Sequence, residues 1–135
     1  MMLRKSFFLV TVMILLLAGC QPVSIEEAQA QLCLELDQFH AALEGVNALT
    51  PESTTEEAQA ALELVADEWD DVQSSAYGYA DAAYDNLDEA YEDLDDAVWD
   101  ADEAATIGDA VTSVQDEVAN VNAAYDEFRA PYCTE

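Results

Sequence analysis

The chain has 135 residues, enough for one domain, with 30 acidic residues against 3 basic ones and a formal net charge of −27. Phosphate recognition needs clustered Lys and Arg, so this composition excludes DNA, RNA and anionic lipid headgroups as direct ligands. Acidity on this scale can accompany disorder, but 52% of the residues are hydrophobic and recur at regular intervals, which predicts a folded domain under a solvated acidic surface.

The start of the chain stands apart. Arg4 and Lys5 come first, Phe7 to Leu17 is almost wholly apolar, and Leu17-Ala18-Gly19-Cys20 follows. A basic start, an apolar stretch and small residues before a cut form the three-part plan of a secretory signal. The basic pair stays on the cytoplasmic side as the apolar stretch enters the bilayer. From Phe7 to Gly19 the stretch falls short of the ~20 residues that a membrane span needs.

The tail of this segment, Leu17-Ala18-Gly19-Cys20, resembles the lipobox of bacterial lipoproteins, and the resemblance covers this N-terminal segment alone. It implies that the Cys20 thiol receives a diacylglyceryl group, that residues 1–19 are cleaved off, and that acyl chains such as palmitate anchor the product. At ~0.8 kcal/mol per buried CH₂, several chains hold stably. The implied location is the extracytoplasmic side of a membrane in the cell envelope. Gln21, in place of the Asp associated with inner-membrane retention, points to the outer membrane where the organism has one. Loss of Arg4 and Lys5 leaves Arg129 alone against thirty acids, a formal charge of −29.

Cys33 and Cys133 remain. Export to an oxidising space makes a disulfide the default use of such a pair; two free buried thiols are the alternative.

Residues 20–23 form the lipidated N-terminus and a short tether, because Gln21-Pro22-Val23 reaches only ~10 Å when extended. Residues 24–135 form the acidic helical domain. Ser24-Ile25-Glu26-Glu27 has the form of a capping box. Behind it Ile25, Leu32, Leu36, Phe39, Leu43 and Val46 mark one buried helical stripe, which Thr50-Pro51 ends. A second start lies at Ser53 and Thr54, each with Glu three residues on, and its stripe runs Leu62, Val65, Trp69, Val72, Ala76. From Tyr77 to Ala104 follow four heptads, each opened by Tyr or Val and closed by Ala, a pattern that packs helices along a seam. Gly108 is expected to end that helix and Asp109 to cap the last one. The last stripe is Ile107, Val111, Val114, Val118, Val121, Tyr125, Phe128, stopped by Pro131.

The stripe shifts phase around Ser74-Ser75-Ala76-Tyr77-Gly78. A turn there gives an all-α, antiparallel bundle of four helices, up-down-up-down. The alternative is three helices, with one long central helix over 54–104 of ~75 Å at 1.5 Å per residue and the phase shift as a stutter. Four helices are favoured, because a thinner rod leaves more apolar stripe wet. An even helix count also returns Cys133 beside Cys33.

The acidic face over 81–103 lacks the central Gly and alternating ligands of a calcium loop. It is compatible with weak, many-site binding of divalent cations, but no defined metal site or cofactor is expected. Like charges such as Asp81/Asp85/Asp88 cost a helix ~0.2–0.5 kcal/mol per pair. His40, the sole histidine, shares a helix face with Cys33, yet a Cys/His metal pair needs further ligands, so a structural or solvent-edge role is expected. No nucleophile motif surrounds any Ser or Cys. Tyr84 and Tyr91 fall on the seam, while Trp99 lies one step off it and is the best single candidate for a contact residue. The expectation is a non-enzymatic structural or interaction module anchored through Cys20, with a basic protein partner or weakly bound divalent cations. The alternative is a cation-binding or metal-handling lipoprotein of the envelope.

Overall fold

Short polar side chains decide where the helices begin, by accepting from amides that the first turn leaves unpaired. The computed structural model describes residues 24–79, 82–101 and 106–133; the signal segment, Cys20 and the tether to Val23 lie outside them. Helix α1 spans Ile25–Asn47, α2 Thr55–Ala76, α3 Ala82–Ala101 and α4 Ile107–Arg129. Ser24 Oγ accepts from the Glu27 amide at 3.1 Å and Glu27 accepts from the Ser24 amide at 3.1 Å, closing the expected capping box. Thr54 and Glu57 repeat it at 3.2 and 2.8 Å. The Thr54 amide, and then its hydroxyl, hold the Glu57 carboxyl below the usual carboxylate range.

The last helix departs from expectation. Its cap is Thr106, whose Oγ1 accepts from the Asp109 amide at 3.1 Å and donates to Asp109 Oδ2 at 2.7 Å. Asp109 is thus the third helical residue rather than the cap, and Gly108 lies inside the first turn of α4 rather than after α3. A threonine hydroxyl three residues before an acid outcompetes the acid itself, because it satisfies the amide from outside the helix.

Between α2 and α3 the chain turns through Tyr77-Gly78-Tyr79. Gly78 has φ 104°, in the left-handed region that glycine enters without a Cβ clash, and the Tyr79 amide donates to the Ala76 carbonyl at 2.8 Å. The single long helix over 54–104 is therefore excluded. The first heptad is broken with it: Tyr77, expected on the seam, is 94% exposed.

Among the described residues, four helices of 23, 22, 20 and 23 residues pack antiparallel in sequence order. Along the α1–α4 seam, contacts climb one helix as they descend the other: Cys33 with Cys133, Asp37 with Arg129, His40 with Asn122, Asn47 with Gln115. Rings tie the other neighbours, Phe39 to Trp69 across α1–α2 at 5.2 Å, Trp69 to Tyr91 across α2–α3 at 4.7 Å, and Tyr84 to Phe128 across α3–α4 at 5.6 Å. The core collects the expected stripes, with Leu32, Leu36, Phe39, Leu43 and Val46 of α1 fully buried. Ile25 is the exception in α1, at 81% exposed. It precedes the Cys33 crossing by about 12 Å of helix at 1.5 Å per residue, where α4 has already ended. Among the described residues, no helix is long and apolar enough to cross a membrane.

Cys33 and Cys133 form a disulfide with their Cα atoms 5.6 Å apart, and the loop it closes is 100 residues long. Loop-closure entropy assigns such a bridge roughly 4–5 kcal/mol as an upper figure. Reduction, or C33S with C133S, is expected to cost about 2–4 kcal/mol, read as a lower urea midpoint. An unmoved midpoint would show that the bundle closes without the bridge.

Candidate functional site

The two ends of the bundle are built differently. At one end stand Ser24, the disulfide and a knot of contacts on Tyr132, whose ring meets Phe128 at 5.4 Å and Tyr79 at 5.1 Å and whose carbonyl accepts from the Gln29 amide side chain. At the other end, where α2 and α4 begin and α1 and α3 finish, the apolar seam stays open among the described residues.

That opening is a cavity of about 770 Å³, lined by Leu62 of α2, Val98 and Trp99 of α3, and Ile107, Val111 and Val114 of α4. Small side chains explain why it is not filled: Ala58, Ala66, Ala101 and Ala110 occupy lining positions where larger residues would close the gap. Helix α3 offers little compensation, since Leu87 and Leu94 are its only buried residues. Trp99 is 70% exposed and Ile107 47%. The off-seam position of Trp99 thus has the expected result, whereas Ile107, read as core, stands at the rim because it is the first residue of α4. Glu63 and Asp95, both exposed, border the groove from α2 and α3.

Acids meet across the same α2–α3 seam deeper in. Burial pushes the Tyr91 phenol up to about 12, with Asp95 and Asp70 adding to the shift from the two helices. Burial also raises Tyr84, aided by Asp88 and Asp85. Both rings stack on Trp69, so these tyrosines are seam residues, as their heptad spacing indicates.

His40 takes its place in the α1–α4 seam. Its ring stacks on Tyr125 at 4.9 Å, Nδ1 lies 3.2 Å from Asn122 Oδ1, and Nε2 lies 3.9 Å from Glu44. Cys33, on the same face, is consumed by the disulfide. Arg129 bonds to Asp37 through Nε and Nη2, each at 3.2 Å. Burial raises Tyr125 to about 12; Arg129 opposes the shift and Asp37 adds to it.

One cluster escaped the sequence reading. Glu35 of α1 converges with Glu68 and Asp71 of α2, one oxygen from each lying within 4.8 Å of the others. Glu35 is only 9% exposed and accepts from the side-chain amides of Gln31 and Gln38, the latter at 3.0 Å. Glu68 Oε2 is buried with no hydrogen-bond partner. The described acids of 81–103, by contrast, lie mostly exposed along α3. The signal available was positional: Glu35 abuts Leu36, and Glu68 abuts Trp69, each one step from a core stripe.

No protein-family model, curated protein or solved structure matches this chain. Its groove and its carboxylates are therefore read from their own chemistry.

An unpaired buried carboxylate oxygen beside two like charges costs stability. Glu68→Gln replaces that oxygen with a donor and is expected to stabilise by about 1 kcal/mol, raising Tm by ~4 °C in metal-free buffer. A lower Tm would mean that the carboxylate is compensated.

Proposed function

We propose that this chain is the precursor of a bacterial envelope lipoprotein, cleaved before Cys20 and held by lipid there, whose mature domain is a non-enzymatic interaction module. One observation carries the interaction reading: the exposed Trp99 and its apolar groove lie at the end of the bundle opposite Ser24. With only Gln21-Pro22-Val23 between the lipid and the domain, the disulfide end lies near the membrane. The groove then faces outward by roughly 30 Å, the length of a 20-residue helix. Anionic headgroups beneath it repel the acidic bundle and hold it off the membrane surface. On this reading the partners are the membrane, through Cys20, and a basic protein, with no nucleic acid.

The cation-binding alternative is favoured by the Glu35, Glu68 and Asp71 trio, whose buried Glu68 oxygen lacks a partner. Carboxylate oxygens suit hard divalent cations.

Mass spectrometry of the native protein is expected to find a chain beginning at Cys20 with diacylglyceryl and acyl groups, and C20S is expected to lose the lipid and to keep residues 1–19. An intact Met1 end, or an unmodified Cys20 in the cytosol, would overturn the anchoring. Calorimetry with Ca²⁺, Mg²⁺ and Zn²⁺ is expected to show weak binding at many sites. A single tight stoichiometric site, abolished by Glu68→Gln, would instead promote the cation-binding reading.

A further inference from the structure

The groove at the Trp99 end has an apolar floor, acid on two walls and no base of its own. Glu63 borders it from α2 and Asp95 from α3. Beyond residue 5 the sequence has one base, Arg129, and it is bound to Asp37 at the opposite end of the bundle. Whatever covers this floor must therefore bring apolar surface and positive charge together. A second copy brings neither base nor relief, because two chains with thirty acids each would set rim against rim.

We propose that the groove receives a cationic amphipathic helix from a partner protein. This rests on the interaction-module reading and names the partner's chemistry. The lining along α2 runs from Thr55 to Ala66, about 17 Å at 1.5 Å per residue, or three helical turns. A helix laying apolar residues at i, i+3 or i+4 and i+7 into such a groove is an established mode of recognition. Its anchors would meet Leu62, Val98, Trp99 and Ile107, while Lys or Arg on its flanks would reach Glu63 and Asp95. Tryptophan is among the residues that most often dominate an interface, and here it stands 70% exposed before any partner arrives.

The test titrates the full chain in phosphatidylcholine vesicles with three labelled peptides of about 14 residues, four turns each. One is a Leu/Lys amphipathic helix, one its scramble, and one its Leu/Glu counterpart. Protein-free vesicles provide the baseline for anisotropy. Trp69 is 3% exposed, so a blue shift in protein emission reports Trp99. The amphipathic Leu/Lys peptide is expected to bind at least tenfold tighter than the other two and to shift that emission. W99A, and separately E63Q with D95N, are expected to weaken it about tenfold; circular dichroism checks that each variant remains folded. Equal binding of the scramble, an unshifted emission, or full affinity in both variants would overturn the proposal. Equal competition by dodecylamine would do so too, assigning the groove to a small amphiphile. If Cys20 carries no lipid and the peptide result holds, the anchoring falls and the groove stands; lipid without peptide binding removes the groove alone.

Discussion

Thirty acids and a single base beyond residue 5 deny this bundle the ordinary use of ion pairs. Surface pairs contribute little in most proteins, but here the same surface repels itself, and each helix must be held by something other than charge. The burden falls on an apolar seam that is continuous from Leu32 to Val46 on α1 and from Val114 to Phe128 on α4. The disulfide between Cys33 and Cys133 then fixes the first helix to the last. The one available arginine is spent on the same seam, at Asp37, one turn along α1 from Cys33. Covalent, ionic and apolar contacts thus all serve the seam between the first and last described helices.

The opposite end has fewer devices. Gln115 reaches the Asn47 and Leu49 carbonyls at 3.1 and 3.0 Å, which secures α4 to the loop after α1. Among the described residues, no comparable hydrogen bond ties α2 to α3 there. The hydrogen bond of Gln73 to Asp88, at 3.4 Å, lies toward the other end of that seam. Alanines along the gap and acids on both walls keep it open. The same features that weaken the packing of α2 on α3 create an uncovered apolar surface, and Trp99 is the largest part of it. Among the described residues the packing is uneven along this bundle, and the less cohesive end is the one at which contact is proposed, in keeping with the low local stability of many binding elements.

Much of this was legible in the residues themselves. Ser24 with Glu27 and Thr54 with Glu57 announce their helices because a capping box is wholly local. The stripes announce their buried faces because 3.6-residue periodicity survives any packing partner. The disulfide followed from a compartment argument, with the even helix count returning Cys133 beside Cys33. What failed depended on where a helix ends in space: Ile25 and Ile107 obey the periodicity and are still exposed, since each occupies a first turn with no facing helix to cover it. Tyr77 fits a heptad that the backbone abandons one residue later, at Gly78. Thr106 was overlooked because Asp109 is itself a good cap residue, and composition alone does not rank the two. The carboxylate trio was beyond reach for a different reason. Glu35 lies 33 residues before Glu68, and only the registration of α1 against α2 brings them together.

On the proposed interaction reading, charge and shape have separable tasks at the Trp99 end. A field from so many acids acts over several ångströms and sorts approaching proteins by sign, which mainly raises encounter rates with basic partners. It discriminates poorly among them, because acids are present on every helix. The groove is local and discriminates by fit, since Leu62, Val98 and Ile107 can be covered only by a surface of matching relief. A partner that satisfied both would neutralise Glu63 and Asp95 while burying Trp99, exchanging a repulsive, wet seam for a dry one. On the proposed reading, the loose packing of α2 on α3 leaves out one element of the core, which the partner helix would supply.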